Sequence, residues 1–272
     1  MKRGQKILFW FGVITLSLVV LLAIIGPHIR HPYDIPVGRP SLPPQAAFWL
    51  GTDEQGRDIF ARLAYGARIS LLIGVVVQAI ALSVGLLVGV LSVFAPKWIA
   101  VPIQRLTDGM FAFPDLLLAI MIAGVFSSAG IWAVVVGLSI SAWPPVARLV
   151  KTQLTTLKER EFVVAARAMG APTWYLVFKH MLPHLRGVLL AVLMVDMAAT
   201  ILAESTLSFL GIGVRPPDPS WGGMIRTANE LKMSNPIMLL WPCLLLSLTI
   251  FALNFLGDGL RAMTDPKQSQ SH

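Results

Sequence analysis

This chain is poor in charge. Of its 272 residues only 13% are Asp, Glu, Lys or Arg, about half the share found in soluble globular domains. With 56% of the residues hydrophobic, there is more apolar side chain than one aqueous core can hide, so lipid is the solvent that the composition implies. Cysteine is almost absent. The single Cys243 excludes an internal disulfide and a cysteine metal cluster, and its apolar surroundings assign it to packing. There is no GxxxxGK[ST] phosphate loop, so the chain is not itself an ATPase by that route. No serine or cysteine comes with a credible base and orienting group, which argues against an intramembrane enzyme. Internal repeats, low-complexity tracts and a second soluble domain are missing as well. The net charge of +8 does not point to nucleic acid, because the basic residues flank apolar runs instead of alternating with exposed aromatics.

Six apolar stretches are present. Lys2, Arg3 and Lys6 precede the first, Ile7 to Ile25, whose length suits a bilayer span better than a signal core and which no small-x-small cleavage site follows. The others are Ile69 to Phe94, Ile103 to Phe126, Ile131 to Val150, Leu185 to Ala203 and Ile237 to Leu256. The turn from Ser127 to Gly130 is short enough to make the third and fourth spans an antiparallel hairpin. Six spans put both termini on one side. Lys2, Lys6, Lys97, Lys151, Lys158, Lys179 and Lys267 fall on that side and only Lys232 opposite, so the termini are cytoplasmic.

Two external segments stand out. The proline-rich HPYDIPVGRPSLPPQ is followed by Thr52 and Asp53 as candidate caps, then by Ile59, Phe60, Leu63 and Ala67 at helical spacing. With Arg57, Asp58 and Arg62 among them, an interfacial amphipathic helix leading into the second span is expected. The second segment is broken by glycine and proline and folds back toward the bundle, with Trp221 expected at the headgroup level.

The most telling stretch is cytoplasmic, EFVVAARAMGAPTWYLVFKHMLP from Glu161 to Pro183. Glu161 sits where a helix N-terminus favours a carboxylate. Ala165, Ala166, Met169 and Gly170 make a side of mostly small residues that lets another backbone approach, and Gly170 suits a helix stop. The bland alternative is an ordinary amphipathic connector. Within the spans, Asp196 and Glu204 are either pathway-lining groups for cationic cargo or a gate, or buried packing hydrogen bonds. Phe111, Phe113 and Pro114 either narrow the inner mouth of a pathway or simply pack. Arg105 and Asp108 are expected to pair locally. Gly85 and Gly89, one and two turns after Ala81, form a small-residue stripe that suits close packing inside the bundle. His180 and His184 lack a third ligand, and a docking or solvated role outweighs a metal site.

Glu161, Ala165, Ala166, Gly170 and Leu182-Pro183 resemble the signature loop of ABC importer permeases. LGTDEQGRDIFARLAYGARISL (Leu50 to Leu71), ILAESTLSFLGIGVRPPDPSWGGMI (Ile201 to Ile225) and NFLGDGLRAMTDPK (Asn254 to Lys267) resemble the dipeptide, oligopeptide and nickel branch of that family, nearest the second permease of its usual pair. Pro144-Pro145 departs from the pattern and is expected to bend the fourth span. The resemblance implies an all-α membrane protein of six transmembrane helices with type I permease architecture in a bacterial or archaeal inner membrane. Its parts are then a first span (1–27), an external segment with an interfacial helix (28–68), a permease core (69–260) holding a cytoplasmic coupling loop (151–183) and an external loop (205–236), and a cytoplasmic tail (261–272). It also implies a coupling helix, with Glu161, Ala165, Ala166 and Gly170 seated on an ATPase, so that a bulky charge at Ala166 or Gly170 would uncouple ATP hydrolysis from transport. The implied partners are a second permease, two cytoplasmic ATPases that carry the ATP and Mg, and an external binding protein; the implied cargo is short peptides or nickel and its chelates. A secondary transporter is the rival from another class, but it calls for inverted repeats that the chain does not show.

Overall fold

A computed structural model describes residues 3–126, 130–230 and 236–264. Lys2, Lys232, Lys267, the Ser127–Ala129 turn and the tail beyond Thr264 lie outside the described residues. The described chain is helical, with α1 (Arg3–Ile29), α2 (Ile59–Phe94), α3 (Lys97–Met110), α4 (Asp115–Val125), α5 (Ile131–Leu157), α6 (Glu161–Ala168), α7 (Thr173–Tyr175), α8 (Leu182–Phe209), α9 (Trp221–Glu230) and α10 (Ile237–Thr264). A π-helical turn, Leu176–Met181, joins α7 to α8.

Five of these are unbroken apolar helices long enough to cross a membrane, counting Thr173–Phe209 as one. The sixth span differs from the straight helix expected over 103–126. α3 and α4 meet at 92°. Pro114 supplies the break, since its ring disfavours helix in the preceding residue, and Asp115 starts a new helix at a position where a carboxylate meets the macrodipole. α4, with 11 residues, rises only about 16 Å and cannot span alone.

The second span begins earlier than expected. α2 has 36 residues, about 54 Å, and its cap is Asp58, which accepts from the Phe60 N–H at 2.9 Å. There is no separate interfacial helix. Thr52 and Asp53 organise the preceding loop instead: the Thr52 hydroxyl donates to the Arg39 carbonyl (2.6 Å), and Asp53 accepts from the N–H groups of Gln55 and Arg57. Arg57 and Arg62 are buried against Asp53, with Nε to Oδ2 distances of 2.7 and 3.5 Å. His31 Nδ1 donates to Asp58 at 2.9 Å, tying the end of α1 to the start of α2. Burial, then the nearby Asp53, raises the Glu54 carboxyl above its usual range.

Trp221 does not face lipid. It is fully buried, and its Nε1 donates to the Leu63 carbonyl at 3.2 Å, so the external return loop is pinned on α2. Its indole replaces lipid contact with contact against Gly66.

The α2–α5 pair is the bundle's central seam. A Cβ at Gly85 would lie 2.6 Å from Val146 Cγ1, and one at Gly89 would lie 2.6 Å from Val150 Cβ. The glycine stripe therefore lets these two helices touch. α5 continues through Pro144 and Pro145 to Leu157. α1 and α10 run antiparallel, with Phe9 pressed on Gly259 and Gly12 on Ala252. Gly257 of α10 packs on Val195 and Ala191 of α8. The start of α1, the end of α10 and the start of α8 thus share a side, the side that also carries α6.

Candidate functional site: a docking surface and a half-chamber

α6 is short and held by its inner face. Val163 is fully buried and Ala166 is 9% exposed, both packed with Val150, Leu154, Leu176, Val177 and Met181. Gly170 ends the helix with φ +85°. The Ala171 N–H bonds to the Ala166 carbonyl and the Gly170 N–H to the Arg167 carbonyl, both C-terminal orphan acceptors satisfied in a Schellman turn that needs a left-handed residue at Gly170. Glu161, Val164, Ala165 and Ala168 are left facing outward. Around them Met169 (82% exposed), Trp174 (66%) and Phe178 (66%) put large apolar surface in the open on a side that faces water, as partner-binding surfaces do.

Of the four residues expected at this contact, Glu161, Ala165 and Gly170 are exposed and brought together. Ala166 is turned inward, so a bulky charge there would strike the core of the loop instead of a partner. Met169 was already placed on this side by its spacing, whereas Val164, Trp174 and Phe178 were not, although their apolar character in a basic loop was a visible signal. His184 Nδ1 donates to the His180 carbonyl (2.6 Å), and its ring stacks on Phe162 at 4.9 Å. Among the described residues no cluster of three His, Cys, Asp or Glu side chains could hold a metal.

The second feature lies between α2, α4, α5 and α8. A cavity of about 140 Å³ is lined by Gln78, Asp115, Ser141, Pro145, Asp196 and Thr200, among others. Below it an apolar groove of about 540 Å³ continues between Leu82 and Leu86 of α2 and Leu189 and Leu193 of α8, past Pro183 to Arg186. Gln78, Leu82 and Leu86 are four apart, and Arg186, Leu189, Leu193, Asp196 and Thr200 follow in steps of three or four. Each set is one face of its helix, so cavity and groove form one furrow, polar in the middle of the bundle and apolar toward the docking side.

Asp196 lies on this furrow. Glu204 does not. It is 0% exposed, behind the wall, accepting from Ser70 (3.0 Å), Ser205 (3.5 Å) and Ser208 (2.8 Å). The cradle joins α2 to α8, and Ser208 in turn accepts from the Val214 N–H, which makes Glu204 a packing group. Phe113 is 61% exposed at the α3–α4 break and is not on the chamber wall. Asp108 meets Arg148 (3.5 Å) and not Arg105, and the same guanidinium lies 3.6 Å above the Phe111 ring.

Several known proteins share this architecture. Residues 81–270 match the family described as binding-protein-dependent transport system inner membrane component. The dipeptide transport system permease protein DppC of Bacillus subtilis is 35% identical over 94% of this chain and 81% of its own. The oligopeptide permease protein OppC of the same organism is 35% identical over 97% and 87%. The glutathione transport system permease protein GsiD of Pectobacterium atrosepticum is 38% identical over 82% and 74%. In solved structures, a chain of the inward-facing MetNI methionine ABC transporter superposes with a TM-score of 0.62 at 19% identity, over 75% of this chain and 96% of that one, a likeness of fold. The chain belongs to the binding-protein-dependent transport system inner membrane component family and is a membrane-spanning subunit of an ABC importer.

Proposed function

We propose that the chain carries short peptides through the furrow between α2 and α8 and is driven by a cytoplasmic ATPase seated on the outward face of α6. The cargo class rests on the names of its relatives, which are peptide and glutathione permeases. The drive rests on one observation: a small-residue helix, ringed by exposed Met169, Trp174 and Phe178, sits at the cytoplasmic end of the same continuous helix that lines the chamber. A second permease, a homologue by the family pattern, closes the furrow. ATP and Mg sit on two ATPase subunits, and an external binding protein delivers cargo. Family membership sets aside the secondary-transporter alternative.

The test is Ala165→Glu in the complete importer. Ala165 is exposed and helical, so the charge meets the partner and not the core of the loop. Peptide uptake is expected to fall at least tenfold, with the complex still assembling at wild-type yield. Unchanged tri-alanine uptake would refute α6 as the contact, and a wild-type chain that purifies with no ATPase subunit, judged by mass spectrometry, would refute the assembly.

A further inference from the structure

The chamber's hydrogen bonds leave it richer in free acceptors than in donors; the second N–H of the Gln78 amide is the one side-chain donor on the described wall with no named partner. The Thr200 hydroxyl donates to the Asp196 main-chain carbonyl one turn earlier (2.9 Å). Its single hydrogen is thereby used, so toward Gln78 its oxygen can only accept. The neighbouring Gln78 atom, 2.8 Å away, must therefore be the amide nitrogen. That fixes the amide orientation and leaves Gln78 Oε1 as the other atom. Gln78 is 6% exposed, and its Oε1 has no hydrogen-bond partner among the described residues. A buried acceptor left bare is destabilising, and a donor brought by cargo would relieve it.

The rest of the wall has the same bias. The Ser141 hydroxyl donates to the Leu138 carbonyl (3.0 Å). Pro145 has no N–H, so the carbonyl of Ser141 loses the donor that a regular helix supplies. The carboxylates of Asp196 and Asp115 line the cavity. Among the described lining residues there is no lysine, arginine or histidine. An anion or a carboxylate finds one neutral amide N–H here and two acidic side chains against it. A primary ammonium, with three donors and no acceptor, matches the free acceptors.

We propose that this cavity is an ammonium site, in which Gln78 Oε1 and the carboxylates of Asp196 and Asp115 receive the N–H donors of a primary ammonium on the cargo. The ammonium is either the amino terminus of a peptide or a lysine side chain. The inference rests on the peptide-importer reading and names the group by which the chamber holds its cargo.

The experiment uses the complete importer in proteoliposomes with its binding protein. Three probes are compared: tri-alanine, N-acetyl-tri-alanine, and N-acetyl-lysyl-alanine, which has only the side-chain ammonium. Uptake is measured for wild type, Asp196→Asn, Asp196→Glu and Gln78→Leu. In wild type tri-alanine uptake is expected to exceed N-acetyl-tri-alanine uptake at least tenfold. Asp196→Asn and Gln78→Leu should each lower that ratio fivefold or more, and Asp196→Glu should keep it within twofold of wild type. Transport of N-acetyl-lysyl-alanine that is lost in Asp196→Asn assigns the site to any primary ammonium; its exclusion by wild type assigns it to the amino terminus. An unchanged ratio in both Asp196→Asn and Gln78→Leu overturns the ammonium site and leaves the importer reading standing. Uptake of none of the three by wild type overturns both.

Discussion

The external loop before α2 hides two arginines against one aspartate, and the consequence of removing that aspartate's charge can be worked out. Arg57 and Arg62 are 8% and 9% exposed. Asp53 is the carboxylate that meets both. Asp53→Asn keeps an oxygen for the Gln55 and Arg57 N–H groups but leaves two buried guanidinium charges facing one another. Breaking a buried ion pair from one side costs about 3–5 kcal/mol. At roughly 2–4 °C per kcal/mol for a chain of this size, melting should fall by about 6–20 °C. Purified importer in mild detergent, heated while tryptophan emission is recorded, reads this directly, because buried Trp221 sits on the neighbouring face of α2. High salt should not restore the loss, since screening acts weakly on buried charges. Adding Arg62→Met should recover part of it by removing one stranded charge, less the bond from Arg62 Nη1 to the Tyr33 carbonyl. A melting point within about 2 °C of wild type for Asp53→Asn would refute the reasoning, since the arginines would then be solvated and not paired.

Other outcomes follow from the same geometry. Gly85→Leu should abolish the assembled bundle, because even a Cβ there falls 2.6 Å from Val146 and overpacking of whole side chains costs about 1–3 kcal/mol or more; size-exclusion chromatography of the expressed importer checks it, with Gly124→Leu, where a Cβ meets nothing, as the tolerated control. Glu204→Gln should lower thermal stability by about 1–3 kcal/mol, because the new amide donors face hydroxyls that already donate. The same variant should leave the ratio of tri-alanine to N-acetyl-tri-alanine uptake unchanged, and a changed ratio would return Glu204 to the pathway wall.

Five of the spans and the order of all the apolar stretches were legible because hydropathy is a strong signal over stretches of this length. The bend at Pro114 was not, because the residues on both sides are apolar and read as one run. Pro114 followed by Asp115 was a helix-start signal that the hydropathy overrode. The docking loop was legible as a motif, yet spacing alone did not reveal which alanine faces in; that is decided by Leu154, Leu176 and Met181, distant in sequence from α6. The burial of Trp221 was not legible, because its partner, the Leu63 carbonyl, lies 158 positions away. Gln78 and Thr200 passed unnoticed inside apolar runs. A glutamine in such a run is costly, and that cost was the available sign of a polar chamber. Glu204 looked like Asp196 from sequence; the three serines around it come from two helices, and only their convergence tells the two acids apart.

The unbroken helix from Thr173 to Phe209 makes the chain a lever with unequal arms. Glu204, clamped to Ser70 of α2, is its fulcrum near the external end. At 1.5 Å per residue the arm to Thr173 is about 46 Å and the arm to Asp196 about 12 Å. A tilt of about 10° therefore turns a push of about 8 Å at the cytoplasmic end into a shift of about 2 Å at the chamber. The gearing is about four to one: a large displacement at Thr173 becomes a small one beside Asp196, on the scale at which a single hydrogen bond is made or lost.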